Sequence, residues 1–155
     1  MPLPPCGIYR TTQPLEAIPA GRLVYFHNHG DPGPGVYLPE RWVNNRAIWQ
    51  ARGTTATSEA WIGSLQALPA EGLYKVREEF FCCVNRCRRY EVGALVQLGY
   101  DAEAGALLFV PEWTEASLHF PVDGLKFEAK NAQRLEPLKV TEAAPASGVR
   151  SPLLH

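Results

Sequence analysis

Residues 21–42 read GRLVYFHNHGDPGPGVYLPERW, and residues 93–113 read GALVQLGYDAEAGALLFVPEW. Both stretches begin with a glycine before an apolar run, continue through a loop that contains glycine, and end in a second apolar run closed by Pro-Glu and a tryptophan. Such self-similarity along one chain is the signature of a repeated structural unit. The sequence therefore predicts two similar units in tandem.

The same correspondence extends to both sides of these stretches. Gly7-Ile8-Tyr9-Arg10 returns as Gly72-Leu73-Tyr74-Lys75, and residues 64–68 return as residues 134–138. The spacing between matches changes a few times, as insertions in loops would cause. We predict an N-terminal arm over residues 1–6, β unit 1 over 7–70, β unit 2 over 71–140, and a disordered tail over 141–155.

Short strands are predicted throughout, because runs rich in β-branched and aromatic residues alternate with Gly, Pro, Asn and Asp. One or two helical turns are expected within residues 56–67 and within 128–135, and the many prolines and glycines disfavour longer helices. The predicted strands cover residues 7–12, 22–27, 36–38, 47–51, 73–76, 94–98, 106–110 and 118–120.

The predicted fold class is mostly β, with a small five-stranded barrel of the SH3-like kind in each unit. Closure of a barrel would protect the edge strands that an open five-stranded sheet exposes. The alternative is a single two-sheet β-sandwich with pseudo-two-fold symmetry, in which the two halves share one core.

Composition limits the function classes. The chain has 155 residues, a formal net charge of −1 and 20% charged residues, so it lacks the positive surplus that binding to a phosphate backbone normally uses. Nucleic acid is therefore not the expected partner. No leader peptide or membrane-spanning run of about 20 apolar residues is seen, so we expect a cytoplasmic protein. Four cysteines in that compartment are expected to be free thiols or metal ligands.

The repeated Pro-Glu-Trp element is the most distinctive motif of the two units. Its tryptophans would either seal the end of a small barrel or line a groove for an extended partner, together with the aromatic residue just upstream. The candidate partner-binding residues are Tyr37 and Trp42 in unit 1, and Phe109 and Trp113 in unit 2.

Two histidines follow the second predicted strand. His27 and His29 point to one side, and with Asp31 or Glu40 they would supply ligands to a divalent metal ion. The segment from His27 to Pro32 resembles the His-x-His core of JAMM-type zinc metallopeptidases, and the acidic ligand of that family would fall on Glu40. The resemblance implies a zinc hydrolase, although the chain has Tyr37 where the family has serine.

Unit 2 carries an insertion rich in cysteine and arginine, FFCCVNRCRRY over residues 80–90. Cys82 or Cys83 with Cys87, joined by Cys6 and by His119, would supply ligands to a structural zinc ion. Buried cysteines that act as small apolar side chains are the alternative. The basic side chains Arg86, Arg88 and Arg89 would receive an acidic partner surface.

These features favour a non-enzymatic protein-binding or adaptor protein, in which a rigid β scaffold carries recognition in its loops. The expected partner is another protein, and no cofactor is expected other than zinc. The alternatives are a zinc-binding protein or JAMM-like hydrolase centred on His27 and His29, and an RNA-binding pair of barrels.

Overall fold

Short strands dominate the structure because turn-forming residues recur every few positions along the chain. Segments this short can form strands but not long helices. A computed structural model of the protein describes residues 2–143. Its strands are β1 (Gly7–Arg10), β2 (Leu23–His27), β3 (Gly35–Tyr37), β4 (Pro39–Val43), β5 (Arg46–Trp49), β6 (Thr54–Thr55), β7 (Gln66–Ala67), β8 (Gly72–Val76), β9 (Phe80–Phe81), β10 (Arg89–Tyr90), β11 (Leu95–Tyr100), β12 (Ala106–Phe109), β13 (Glu112–Trp113), β14 (Leu118–His119), β15 (Leu125–Lys126) and β16 (Leu135–Pro137).

Two short helical segments complete the secondary structure of residues 2–143. Helix α1 spans Glu59–Gly63, and the Ser58 side chain caps it by accepting a hydrogen bond from the backbone N–H of Trp61. A 3-10 helix spans Ala129–Arg134. The predicted mostly β class is confirmed, and both helical segments lie within the windows predicted for them. Most of the predicted tail, residues 144–155, lies outside the described residues.

The strands form two five-stranded antiparallel sheets and three two-stranded ones. The first large sheet has the order β6-β3-β2-β1-β7, and the second has the order β15-β12-β11-β8-β16. The central strands are β2 and β11. The strands that follow the helical segments, β7 and β16, each lie at one edge. The two sheets therefore have the same order of strands when each is counted along its own half of the chain and the inserted strands β9 and β10 are left out.

The pairing register is also the same in the two sheets. When two residues occupy equivalent positions in the sequence repeat, their cross-strand partners also occupy equivalent positions. Strands that pack in the same way require this agreement. The matched pairs are Tyr9↔Val24 with Tyr74↔Val96, Phe26↔Val36 with Leu98↔Leu108, Val36↔Thr54 with Leu108↔Leu125, and Tyr9↔Ala67 with Tyr74↔Pro137.

The expected closed barrels are not formed within residues 2–143. Each five-stranded sheet stays open, and none of the sheets closes on itself. The physical reason lies in the strand pairing, because the strands that could join the two edges of each sheet pair with each other instead. These strands are β4 and β5 in the first half and β13 and β14 in the second. Each pair separates from the large sheet and forms a hairpin.

Packing divides the core unequally between the halves. The smaller hydrophobic cluster belongs to unit 1 alone, where Val24, Phe26 and Val36 on one face of the sheet meet Trp61 and Ile62 of α1. The larger cluster takes residues from both halves. It contains the core of unit 2 together with Leu23, Ala47 and Trp49 of unit 1, which come from the opposite face of the first sheet and from β5.

Candidate functional site

The hairpin of β4 and β5, here called the first hairpin, leaves its own sheet and lies against β11 of unit 2. The Trp42 indole donates a hydrogen bond to the Tyr100 carbonyl over 2.9 Å. At the turn, Asn45 Nδ2 donates to Gln97 Oε1 over 3.0 Å, and Gln97 Nε2 donates to the Asn44 carbonyl over 2.9 Å. These contacts fix the first hairpin on the neighbouring unit.

Near its turn, the first hairpin is held by a half-buried carboxylate. Glu71, the first residue of unit 2, accepts a hydrogen bond from the backbone N–H of Ala47 at 3.0 Å. Burial raises the pKa of Glu71, and the Ala47 hydrogen bond and the Arg46 charge oppose that increase only in part. Trp49 is buried beside Tyr25, with ring centroids 5.8 Å apart. The junction of the two units is thus a packed interface with polar anchors.

The hairpin of β13 and β14, here called the second hairpin, is the counterpart of the first in unit 2. Trp113 lies opposite Leu118, as Trp42 lies opposite Ala47. Residues directly opposite each other in an antiparallel pair have side chains on one face. Trp42 is 39% exposed, whereas Trp113 is 82% exposed, and Leu118 is exposed as well. In the first hairpin, the face that carries Trp42 and Ala47 packs against unit 2. The equivalent face of the second hairpin, which carries Trp113 and Leu118, is exposed to solvent.

The other predicted aromatic residues occupy different positions. Phe109 is 4% exposed, because its ring packs against the backbone of Gly99 and Gly124, and it does not form a platform with Trp113. Tyr37 is half-buried, with its ring against Gly53. Of the predicted partner-binding aromatics, the structure leaves the two tryptophans as surface residues, and Trp42 is already engaged.

The predicted basic cluster is divided among local partners. Arg89 forms ion pairs with Glu79 and Glu91. Arg86 lies over the Phe81 ring and Arg88 over the Tyr90 ring, with guanidinium carbons 4.7 and 5.8 Å from the ring centroids. Much of the positive charge of the insertion is therefore compensated or stacked before any partner approaches.

Cys6 lies with the two histidines and not with the other cysteines. Its Sγ is 3.5 Å from Nδ1 of His27 and 3.9 Å from Nδ1 of His29, and the ligand atoms of all three residues lie within 4.8 Å of one another. This group is here called the histidine cluster. Within residues 2–143, neither Asp31 nor Glu40 belongs to it.

The N-terminal arm is tied to the histidine loop by Asn28. Its backbone N–H donates to Cys6 Sγ over 3.3 Å, and its side-chain Nδ2 donates to the Pro4 carbonyl over 3.2 Å. The Asn28 Oδ1 atom lies 3.3 Å from Cys6 Sγ and 2.8 Å from His29 Nδ1. Asn28 thus positions the thiol and one imidazole together, a role that the sequence analysis did not assign to it.

The remaining cysteines form a second group, here called the cysteine cluster: Cys82, Cys83 and Cys87. Cys82 Sγ is 3.6 Å from Cys83 Sγ, which is 4.0 Å from Cys87 Sγ. A backbone hydrogen bond from Asn85 and the neighbouring thiol and amide groups lower the pKa of Cys83, while contact with Cys83 raises the pKa of Cys87. Cys6 and His119 are not members of this group in the part of the chain that is described.

Comparisons with protein-family models, with curated proteins and with solved structures returned no match to this chain. Among the described residues, no helix has the length and apolar character needed to cross a bilayer. Function is therefore inferred from the geometry of the second hairpin and of the two clusters.

Proposed function

We propose that this protein is a non-enzymatic binding protein made of two related SH3-like β units, and that it captures another protein through the second hairpin. The observation that carries the proposal is the contrast between the two equivalent tryptophans. The Trp42 indole N–H donates a hydrogen bond to the Tyr100 carbonyl of unit 2, whereas Trp113 is exposed. The matched strand registers of the two large sheets support an origin by duplication.

The first hairpin provides an internal precedent for how the second would bind. It contributes an indole N–H to a backbone carbonyl, and it brings the small residue Ala47 into the shared core. In the second hairpin, Leu118 stands at the position of Ala47 and gives a larger apolar surface beside Trp113. Tryptophan dominates many protein interfaces, because its large ring is buried while its N–H keeps a hydrogen bond.

The chemistry of the second hairpin defines the partner. The expected ligand is an extended segment of another protein that offers a backbone carbonyl to the Trp113 indole and an apolar side chain to Leu118. Glu112 and Glu115 are exposed on the same hairpin, so a lysine or arginine in the segment would add favourable electrostatic contacts. Binding by this hairpin requires no catalytic group.

Trp113→Ala should weaken binding of such segments by at least about 30-fold, as expected for a hot-spot tryptophan worth roughly 2 kcal/mol. The measurement is selection of peptides from a displayed random library on the intact protein, followed by titration of the selected peptides against each variant. The triple variant Arg86→Glu, Arg88→Glu, Arg89→Glu is the matched control, and its affinity should stay within about twofold of wild type. Equal affinity of the Trp113→Ala variant would refute the hairpin as the binding element.

A second candidate function is zinc binding at the histidine cluster. Zinc bonds of about 2.3 Å to sulfur and 2.0–2.1 Å to nitrogen place tetrahedral ligands about 3.5–3.6 Å apart. The distances from Cys6 Sγ to the two imidazole nitrogens, 3.5 and 3.9 Å, are close to that value. Hydrolysis would require a carboxylate beside the metal to activate water. Since neither Asp31 nor Glu40 belongs to the cluster in the described chain, the candidate is zinc binding without catalysis.

Cys6→Ser should remove one equivalent of zinc from the untagged protein, because the thiolate is the anionic ligand of this cluster. Elemental analysis after gel filtration under reducing conditions measures the difference from wild type. Glu40→Gln is the control and should leave the zinc content unchanged. Equal zinc content in wild type and the Cys6→Ser variant would exclude this site.

A further inference from the structure

The cysteine cluster has the dimensions of a metal-thiolate site. Tetrahedral zinc with bonds of about 2.3 Å to sulfur places its thiolates about 3.8 Å apart. The observed separations of 3.6 Å between Cys82 and Cys83 and 4.0 Å between Cys83 and Cys87 lie on either side of that value. A metal ion would therefore bind with little movement of the loop.

The backbone already holds this loop closed. The strands β9 and β10 pair with each other, and beyond them Cys82 and Arg88 exchange two contacts: Cys82 N–H donates to the Arg88 carbonyl over 2.9 Å, and Arg88 N–H donates to Cys82 Sγ over 3.3 Å. The backbone N–H of Arg86 also donates to the Cys83 carbonyl over 3.0 Å and closes the turn. Amide donors to sulfur stabilise bound thiolates, as outer-shell partners do in metal sites.

The charge around the cluster suits several thiolates at once. Three thiolates and a divalent ion carry a net charge of −1, which needs nearby positive groups to offset it. Arg88 and Lys126 line the pocket beside the cysteines, and Arg86 follows Cys83 in the same turn.

An independent observation also points to a ligand at this place. The three cysteines open onto a surface pocket of about 460 Å³, which is also lined by Tyr90. Tyr90 is 2% exposed, and its hydroxyl is a buried side-chain oxygen without a hydrogen-bond partner among the described residues. Buried polar groups are normally satisfied, so an unpaired hydroxyl on a residue that lines the same pocket as the thiols marks this place as one that bound material would complete.

We infer that Cys82, Cys83 and Cys87 bind one zinc ion as thiolates, with the fourth coordination position open to the pocket. Each ligand loses a proton and donates a sulfur lone pair to the ion, so no oxidation or reduction is involved. Thiolate ligands select soft ions such as zinc over magnesium or calcium. The site is separate from the second hairpin and from the histidine cluster, and so it stands or falls independently of the proposed function.

The test uses the full chain, untagged, stripped of metal, and reduced under argon. Cobalt(II) is added as the spectroscopic probe, and zinc affinity is measured by competition with a chromophoric chelator. The Cys87→Ser variant alters an exposed residue and should leave the circular dichroism spectrum unchanged. It should lose most of the thiolate-to-cobalt charge-transfer band and bind zinc at this site at least about 100-fold more weakly, because even an outer-shell change costs 10–100-fold.

Cys83→Ser serves as a second variant with the same expected result. Cys6→Ser is the matched control, since it removes a thiol from the other cluster, and it should retain the sulfur-rich cobalt spectrum. The inference is overturned if reduced wild type shows no thiolate-to-cobalt band, if Cys87→Ser and wild type bind zinc with equal affinity at every site, or if the band disappears in the Cys6→Ser variant alone.

Discussion

Replacing Leu23 by alanine is expected to lower the free energy of unfolding by about 3–4 kcal/mol, which is a large part of the total stability of a typical domain. Leu23 belongs to unit 1 in sequence, yet its side chain is fully buried in the larger cluster with the core of unit 2. Its backbone N–H also donates to the Ala102 carbonyl of unit 2 over 2.9 Å. The cavity would therefore weaken both halves.

Chemical denaturation followed by tryptophan fluorescence and by circular dichroism measures this effect. Both signals should change in one transition in wild type and in the Leu23→Ala variant, because the shared core couples the units. Leu118→Ala, on the exposed face of the second hairpin, removes the same atoms and should cost no more than about 0.5 kcal/mol. Two separate transitions in wild type would contradict the coupling.

Gly124→Ala and Gly53→Ala are each expected to lower the free energy of unfolding by about 2–3 kcal/mol, the upper part of the range for overpacking. These glycines occupy equivalent positions in the two units. A Cβ atom at Gly124 would lie 2.8 Å from the Leu107 Cβ and 2.9 Å from the Phe109 ring. At Gly53 it would lie 2.7 Å from the Val36 carbonyl oxygen. Neither neighbour can move without disturbing a central strand.

Gly63→Ala is the matched control for these variants. Gly63 ends helix α1, and a Cβ atom there would meet no atom within 4 Å. The same substitution should therefore leave stability unchanged or raise it by up to about 1 kcal/mol, through the lower entropy of the unfolded chain. Thermal unfolding of the three variants provides the comparison. If Gly124→Ala is as stable as Gly63→Ala, the close packing of that backbone against Phe109 is wrong.

Much of the strand structure follows from the sequence repeat. Tyr9 and Tyr74, or Phe26 and Leu98, match in sequence because each occupies the same face of an equivalent strand, and alternation of side chains fixes the register. The repeat could not show whether the barrels close. Closure depends on which strands pair at the edges of each sheet, and edge strands of two residues such as β6 and β15 carry no pattern that distinguishes them from loops.

The first hairpin was missed as a strand pair, although its turn carries a usable signal. Asn44 and Asn45 both adopt positive φ angles, of 51° and 65°, between the paired residues Val43 and Arg46. Asparagine is favoured at both central positions of such a two-residue turn. The proline that begins β4 argued for a strand end instead.

The position of Cys6 in the histidine cluster follows from the pairing of two predicted strands. Because Gly7 pairs with Phe26 in an antiparallel ladder, the residue before Gly7 comes beside the residue after Phe26, which places Cys6 near His27. Sequence reasoning grouped Cys6 with the other cysteines by residue type. Spatial grouping follows strand pairing, which composition does not contain.

By itself, the sequence predicted the mostly β class, the two short helical windows and the repetition of similar segments, because these depend on local alternation and on turn residues. Only the tertiary structure decided that Leu23 and Trp49 complete the core of unit 2, that the first hairpin is covered while Trp113 is exposed, and that four cysteines divide between two clusters. Those outcomes depend on which surfaces meet when the two units pack. A repeat that makes the units alike carries no information about the contacts that make their positions different.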